Sequence, residues 1–323
     1  MSAYPCNELS TTLTIEFMAR IKKGQHWGGD WTEEKLAAFS KYVNAYLTIM
    51  NKYRDKYNWR LIYFDGFAGS GSSEHAPDTV LEDDNILLHE LESANLYNPA
   101  QAELYKGAAE RVLDINQRGF DIYYFVDKNQ DSKLALEHRL APYASTHNLQ
   151  FRCNDANKML SKMAEHFKTP KGTKDKSLVL LDPFGMQINW DSIANFKDTK
   201  GVDFGILVPT GVIVNRLLDK KGELRHIGRL KDFFGLEETE IRNYFYTKKH
   251  ECTLFGEEDI IVKVNEPIAK IASLYLERLK TIFEFVIPKP LILYNTMNVP
   301  IYHFVFASNN STAVKIAKDI IGK

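Results

Sequence analysis

The chain has 323 residues, of which 44% are hydrophobic and 26% are charged, and its formal net charge is −1 at pH 7. This balance is typical of a globular protein whose core needs no disulfide or metal, and it argues against coating of duplex DNA through bulk charge. The sequence shows no signal-peptide pattern, no apolar run as long as a membrane span and no CxxC pair among its three cysteines. We expect a cytoplasmic protein that contacts no membrane and binds no metal.

Short apolar runs alternate with amphipathic segments along the first two thirds of the chain. Residues 33–54 have apolar side chains at helical spacing, and further helices are predicted at 102–116 and 156–167. The runs that are typical of buried strands are Leu61–Phe64, Ile122–Val126, Leu149–Cys153, Ser177–Leu181 and Phe204–Val208. Because helical segments separate these strands, we predict a parallel, doubly wound α/β sheet, in which ligands bind at the carboxyl ends of the strands.

The last third of the chain has a different pattern. A helix is predicted at 267–281, then two strands at 285–294 and 299–307 that form an antiparallel hairpin, then a helix at 312–321. This order predicts a single domain over residues 1–323, with a seven-stranded, mostly parallel, Rossmann-like sheet of the class I methyltransferase type. We expect residues 1–58 to form a helical extension, and 72–120 and 216–265 to be insertions, the second a candidate substrate lid.

The strongest local motif directly follows the first strand. It comprises Asp65, Gly66, Phe67, Ala68, Gly69, Ser70 and Gly71. Its glycines permit positive φ angles and a close approach of the backbone to a ligand. The spacing is not the GxGxxG of dinucleotide-binding proteins, which makes a dinucleotide oxidoreductase a weak interpretation. A tight turn that binds nothing is the alternative.

Three later strands also end at a carboxylate. Asp127 follows the second strand and can accept two hydrogen bonds from a ribose diol, and Asp155 follows the third and can accept one from the amine of adenine. For both, the competing interpretation is the N-cap of the next helix. The fourth strand is followed by Asp182-Pro183-Phe184-Gly185, which provides a carboxylate, a proline that stiffens the backbone and an aromatic ring for stacking. The competing interpretation is an ordinary turn at the end of the strand. Together the four strand ends predict a nucleotide-type cofactor.

Two of these motifs resemble those of known methyltransferases. Phe67–Gly71 resembles the FxGxG motif of amino-methyltransferases, and Asp182–Gly185 resembles their DPPY motif, with phenylalanine and glycine in place of the second proline and the aromatic residue. The chain has a closer resemblance to the three-Cys-motif partner (TcmP) family. The segments that resemble this family are Tyr63–Gly69, Leu181–Gly185 and Tyr302–Ser308.

The family resemblance implies a class I methyltransferase that uses S-adenosylmethionine, with a radical-SAM-like three-Cys protein as its partner. It implies that Gly66, Phe67, Gly69 and Gly71 line the methionine end of the cofactor, with Asp65 and Ala68 of the same loop also binding it. It further implies that Asp127 binds the ribose and Asp155 the adenine. Asp182, Pro183 and Phe184 would then border the methyl-transfer site. The acceptor stays open among a nucleic-acid base, a peptide and a small molecule, and a catalytically inert partner subunit is the alternative function.

Two further features have competing interpretations. The basic stretch Arg216–Lys231 is either a phosphate-binding surface of a nucleic-acid methyltransferase or a solvated helical face. His303, on the last predicted strand, is either a catalytic base or a side chain that is simply solvated or hydrogen-bonded. In both cases we favour the second interpretation.

Overall fold

A computed structural model describes residues 30–71, 106–253, 256–295 and 297–321 of the chain. Its strands are β1 (Arg60–Asp65), β2 (Ile122–Asp127), β3 (Leu149–Cys153), β4 (Asp175–Leu181), β5 (Val202–Val208), β6 (Tyr246–Thr253), β7 (Gly256–Lys263), β8 (Phe285–Val286), β9 (Leu291–Tyr294) and β10 (Pro300–Ser308). Its helices are α1 (Asp30–Tyr57), α2 (Ala108–Leu113), α3 (Gln130–Arg139), α4 (Ala156–Phe167), α5 (Trp190–Ala194), α6 (Asn215–Leu217), α7 (Ile227–Phe234), α8 (Glu238–Phe245), α9 (Pro267–Lys280) and α10 (Ser311–Ile321).

The main sheet has the strand order β3-β2-β1-β4-β5-β10-β8, and β9 also pairs with β10. The first five strands in this order are parallel, and β10 is antiparallel to β5. Every residue of β5 is buried, as expected for a central strand that is covered on both faces. The chain order of the strands reverses between β1 and β4, and ligands of open α/β sheets bind at such a reversal.

The structure confirms a mostly parallel α/β sheet and the C-terminal antiparallel hairpin, but the sheet has eight strands where seven were predicted. The predicted strand 285–294 is divided into β8 and β9 by a segment that contains Pro288 and Pro290. Proline has no N–H to donate to a neighbouring strand, so the pairing with β10 is interrupted there.

The two predicted insertions and the helical extension are described in part. Residues 1–29 and 72–105 lie outside the described residues. Within the described part of the helix predicted at 102–116, α2 covers only 108–113 and ends three residues earlier than predicted. The stretch 216–265, in which a solvated helical face was the only element expected, includes α7, α8 and a two-stranded ribbon of β6 and β7. No helix in the described ranges is both long and apolar enough to cross a lipid bilayer.

Helix α1 packs against the sheet, and this packing places its first turns at the carboxyl edge of the sheet. Its buried residues include Phe39, Tyr42 and Tyr46, which recur at helical spacing. The ring of Tyr42 lies 4.3 Å from that of Phe306 in β10, and Phe39 contacts Phe304 edge-on at 6.1 Å. This packing fixes the first turns of α1 beside the carboxyl ends of the central strands.

Candidate active site

The four predicted acidic strand ends lie on one edge of the sheet. In the register of the parallel strands, Asp65 at the end of β1 pairs with Leu180 of β4 and with Phe125 of β2. Asp127 at the end of β2 pairs with Cys153, the last residue of β3. The carboxyl ends of β1, β2, β3 and β4 therefore lie at the same edge, where Asp182 directly follows β4 and Asp155 follows β3 after one intervening residue.

The glycine-rich loop closes over this edge through backbone hydrogen bonds. The N–H of Gly66 donates to the carbonyl of Leu180 at 3.0 Å, and the N–H of Ala68 donates to Val126 at 2.9 Å. Gly69 has a φ of 62°, and a Cβ atom there would meet no other atom within 4 Å. The loop thus bridges β4 and β2 across the end of β1, and the backbone of Gly69 borders open space.

Asp127 fastens this loop and does not cap the next helix. Its Oδ2 accepts a hydrogen bond from the N–H of Gly69 at 3.0 Å, and its Oδ1 accepts one from the N–H of Asn129 at 2.7 Å. Asn129 is the N-cap of α3. Burial raises the pKa of Asp127, and the two backbone donors oppose that shift. Each of its oxygens retains a second lone pair, which is what a diol would require.

Asp155 is the N-cap of α4, so the competing interpretation is confirmed at this position. Its carboxylate accepts a hydrogen bond from the N–H of Lys158 at 3.1 Å, and its backbone is extended as an N-cap requires. A role in adenine recognition is compatible with the cap and stays a prediction.

Asp182 forms an ion pair that the sequence analysis missed. The ammonium of Lys35, on the first turns of α1, lies 2.5 Å from its Oδ2, and the Lys35 side chain is only 8% exposed. The same ammonium lies 5.4 Å from the centroid of the Trp31 ring, which stacks on Tyr302 at 5.3 Å. Lys35 lies four residues before the buried Phe39 and therefore on the same face of α1. A lysine on a buried helical face is the sequence pattern that would have identified it.

Asp65 is a buried carboxyl group beside this ion pair. Its pKa is raised to about 7, first by burial and then by the carboxylate of Asp182. The N–H of Phe67 and the hydroxyl of Tyr63 donate to it at 3.3 Å each, and together with Lys35 they oppose the shift. At neutral pH this group is divided between its protonated and ionised forms, so a cation bound nearby would favour the ionised form.

The rest of the Asp-Pro-Phe-Gly segment presents an aromatic ring at the rim. Pro183 is buried, whereas Phe184 is 51% exposed. The backbone of Phe184 is fixed, because its N–H donates to the side chain of Gln187 at 3.2 Å and its carbonyl accepts from the Tyr302 hydroxyl at 3.5 Å. A planar group that entered the site would find this ring available for stacking.

His303 is buried and hydrogen-bonded, as the favoured interpretation proposed. Its Nδ1 lies 2.7 Å from the hydroxyl oxygen of Thr210, and burial lowers its pKa to about 4. It lies on β10, which is an internal strand of the sheet between β5 and β8.

The basic stretch 216–231 is not one helical face, contrary to the favoured interpretation. It runs through the end of α6, a loop and the first half of α7. Two of its cations pair with nearby carboxylates, Arg225 with Glu223 at 2.8 Å and Lys231 with Glu237 at 2.7 Å.

Comparisons with known proteins give distant structural likenesses. No protein-family model and no curated protein matches the sequence. A crystal structure of protein LPL1258 from Legionella pneumophila is 14% identical, with a TM-score of 0.38 over 88% of this chain and 99% of that one. A structure of an S-adenosylmethionine-dependent methyltransferase from Clostridium acetobutylicum is 11% identical, with a TM-score of 0.31 over 94% of this chain and 100% of that one. The resemblance to the three-Cys-motif partner family stays a prediction.

Proposed function

We propose that this chain is an S-adenosylmethionine-dependent methyltransferase whose acceptor binds at Asp182. The supporting observation is the alignment of four carboxylates along the carboxyl edge of the sheet, on both sides of the reversal between β1 and β4. Strand β10 lies between β5 and the edge strand β8 and is antiparallel to β5. This position agrees with the class I methyltransferase arrangement that the sequence predicted.

The residues at this edge fit the chemistry of the cofactor. Asp127 would bind the ribose through the lone pairs that its two backbone donors leave. The open space at Gly69 would receive the methionine portion, where a side chain would otherwise project. The cofactor is cationic, and Asp65 provides a carboxyl group that a neighbouring cation would ionise. Asp155 would bind the adenine amine.

Asp182 would orient the acceptor, and Lys35 would orient Asp182. When bound, the cofactor would supply a methyl group on a positively charged sulfur. An acceptor amine must direct its lone pair at that group, so its N–H hydrogens must be bound from the other side, and a carboxylate oxygen can do this. The ion pair with Lys35 fixes one oxygen of Asp182 and leaves the other for the acceptor. Phe184 would stack on a planar acceptor.

The proposal is tested by separating cofactor binding from turnover. S-adenosylhomocysteine is titrated calorimetrically into the wild type, Asp127→Asn and Asp182→Asn, and transfer of labelled methyl groups is measured on nucleic-acid, peptide and small-molecule pools. We expect Asp127→Asn to weaken binding about tenfold or more, because it removes a charged acceptor. We expect Asp182→Asn to bind normally and to lose turnover. Absence of binding to the wild type would refute the proposal.

Lys35 variants test the second part of the proposal. Lys35→Met should leave cofactor affinity within about twofold and reduce turnover, because Asp182 loses the contact that orients it. Lys41→Met changes an exposed lysine on the same helix and serves as the matched control. Equal turnover in the two variants would contradict a role for Lys35.

The same ion pair supports a second candidate, a cofactor-binding partner subunit without activity. In this case Lys35 occupies the place at Asp182 that an acceptor would need, and the chain would act with a three-Cys protein of the radical-SAM-like type. Tight binding of S-adenosylhomocysteine together with no methyl transfer to any pool would favour this candidate. Transfer by the isolated chain would exclude it.

A further inference from the structure

The C-terminal end of α1 and the residues that connect it to β1 carry three neighbouring aromatic rings, two exposed and one half-buried, far from the candidate active site. Tyr53 and Tyr57 are 38% and 45% exposed, and their ring centroids lie 6.4 Å apart. Tyr57 in turn stacks on Trp59, with centroids 4.9 Å apart and ring planes at 24°. Because Tyr53 and Tyr57 are four residues apart, they lie on the same face of the helix. We call these three rings the aromatic row.

Each ring of the aromatic row is accompanied by a lysine. Their ammonium groups lie 5.6, 5.3 and 5.4 Å from the centroids of the three rings in chain order, and they belong to Lys52, Lys56 and Lys176. A fourth lysine, Lys174, donates to the backbone carbonyl of Tyr57 at 3.4 Å. The surface therefore combines aromatic faces with positive charge.

The carboxylates closest in sequence are already paired with other cations. Asp55 accepts two hydrogen bonds of 2.9 Å from Arg118. Asp175 is buried and is bound by both Arg60 and His166. Neither carboxylate is paired with Lys52 or Lys56, so these two exposed lysines remain suited to an anionic partner. Lys176 is half-buried and donates to the backbone carbonyls of Thr173 and Asp175 at 2.9 and 3.1 Å, so it contributes less to such a site.

The position of the row separates it from the methyl-transfer chemistry. Tyr53 follows Lys35 by eighteen residues on one helix, which corresponds to about 27 Å at the rise of an α-helix. Trp59 immediately precedes β1, at the amino end of a strand whose carboxyl end bears Asp65. A ligand on this surface would contact neither Asp65 nor the Lys35–Asp182 pair directly.

We infer that the aromatic row and its lysines bind single-stranded nucleic acid. Unpaired bases expose their faces and can stack on tyrosine and tryptophan rings, while lysines pair with the phosphates between them. A duplex buries its base faces and could use only the lysines. An acidic peptide would use the charge but lacks regularly spaced planar groups. The inference is independent of the proposed methyltransferase activity.

The experiment is fluorescence anisotropy of a labelled oligothymidylate with the full chain, between about 50 and 200 mM salt. Tyr53→Ala/Tyr57→Ala should raise the Kd by about fivefold or more per ring, whereas Tyr53→Phe/Tyr57→Phe should leave it unchanged because the rings remain. Lys52→Gln/Lys56→Gln should reduce the salt slope by about 1.4, at about 0.7 per phosphate contact on a single strand. Lys280→Gln/Lys289→Gln changes two exposed lysines elsewhere and should have no effect.

Three outcomes would overturn the inference. One is absence of oligothymidylate binding at low salt, including the case in which an acidic peptide or an anionic vesicle binds instead. Another is equal affinity for a duplex, with no loss in the alanine variants. The third is loss of binding on charge reversal at Arg216, Lys220 and Lys221 while the variants of the aromatic row bind normally. Circular dichroism of each variant establishes that it is folded.

Discussion

Replacing Asp65 with asparagine should stabilise the protein at neutral pH, although it lies at the centre of the candidate active site. The side chain of Asp65 is 3% exposed, and its pKa is raised from 3.8 to about 7 by burial and by Asp182. Between these two pH values the unfolded chain loses a proton that the folded chain retains. The folded state therefore becomes relatively less stable as the pH rises.

The size of the effect follows from the shift. The favourable contribution of the protonated Asp65 is complete below about pH 4 and is lost as the pH rises through about 7. About 3 pKa units at 1.36 kcal/mol each give an upper limit of about 4 kcal/mol. Asparagine does not titrate, so Asp65→Asn avoids this loss, and between pH 5 and 8 its advantage over the wild type should grow by about 2 to 3 kcal/mol.

Urea unfolding followed by circular dichroism at pH 5, 6, 7 and 8 measures this difference. Asp191→Asn, at an exposed position, is the control and should show no pH-dependent advantage. If Asp65→Asn changes the free energy of unfolding equally at pH 5 and pH 8, the reasoning about Asp65 is wrong. A more stable variant that binds S-adenosylhomocysteine more weakly would indicate that the carboxyl group is retained for ligand binding.

Three other predictions concern single residues. Gly66→Ala would place a Cβ atom 2.8 Å from the buried Leu181 side chain and should reduce the free energy of unfolding by about 1 to 3 kcal/mol, measured by urea unfolding; an unchanged free energy would contradict the packing. Lys35→Met leaves Asp182 without its partner and should reduce the free energy of unfolding by about 3 kcal/mol, measured in the same way; a neutral result would mean that the pair is solvated. His303 should remain neutral down to about pH 5 in an NMR titration, and a midpoint near the ordinary value would refute its burial.

The secondary structure of the sheet could be predicted from the sequence largely because its central strands β1, β4 and β5 are almost entirely buried. Leu149–Cys153 and the helix at 156–167 have the predicted bounds, and β1, β2, β4 and β5 begin or end within two residues of theirs. Apolar runs that end at a carboxylate or a glycine indicate such strands without any knowledge of their neighbours. The ribbon of β6 and β7 was missed, because its charged, weakly alternating residues lack that pattern.

The roles of individual carboxylates could not be predicted in the same way. Asp127 and Asp155 both follow a strand and precede a helix, and the sequence left the same two interpretations open for each. The structure assigns the cap to Asp155 and to Asn129, and it leaves Asp127 bound to the loop. The residue that caps a helix is the one at which the helix begins. The spacing of apolar residues does not locate that start to within two positions, which is the difference between Asp127 and Asn129.

The sequence by itself determined the α/β class, the central strands and the acidic residues at their carboxyl ends. These features depend on the spacing of apolar residues within short segments of the chain. Only the tertiary structure decided that Lys35 neutralises Asp182 from 147 positions away, and that burial, together with the nearby carboxylate of Asp182, raises the pKa of Asp65 to about 7. Ion pairing and burial depend on distances between segments that are remote in the chain, and packing of α1 on the sheet sets those distances.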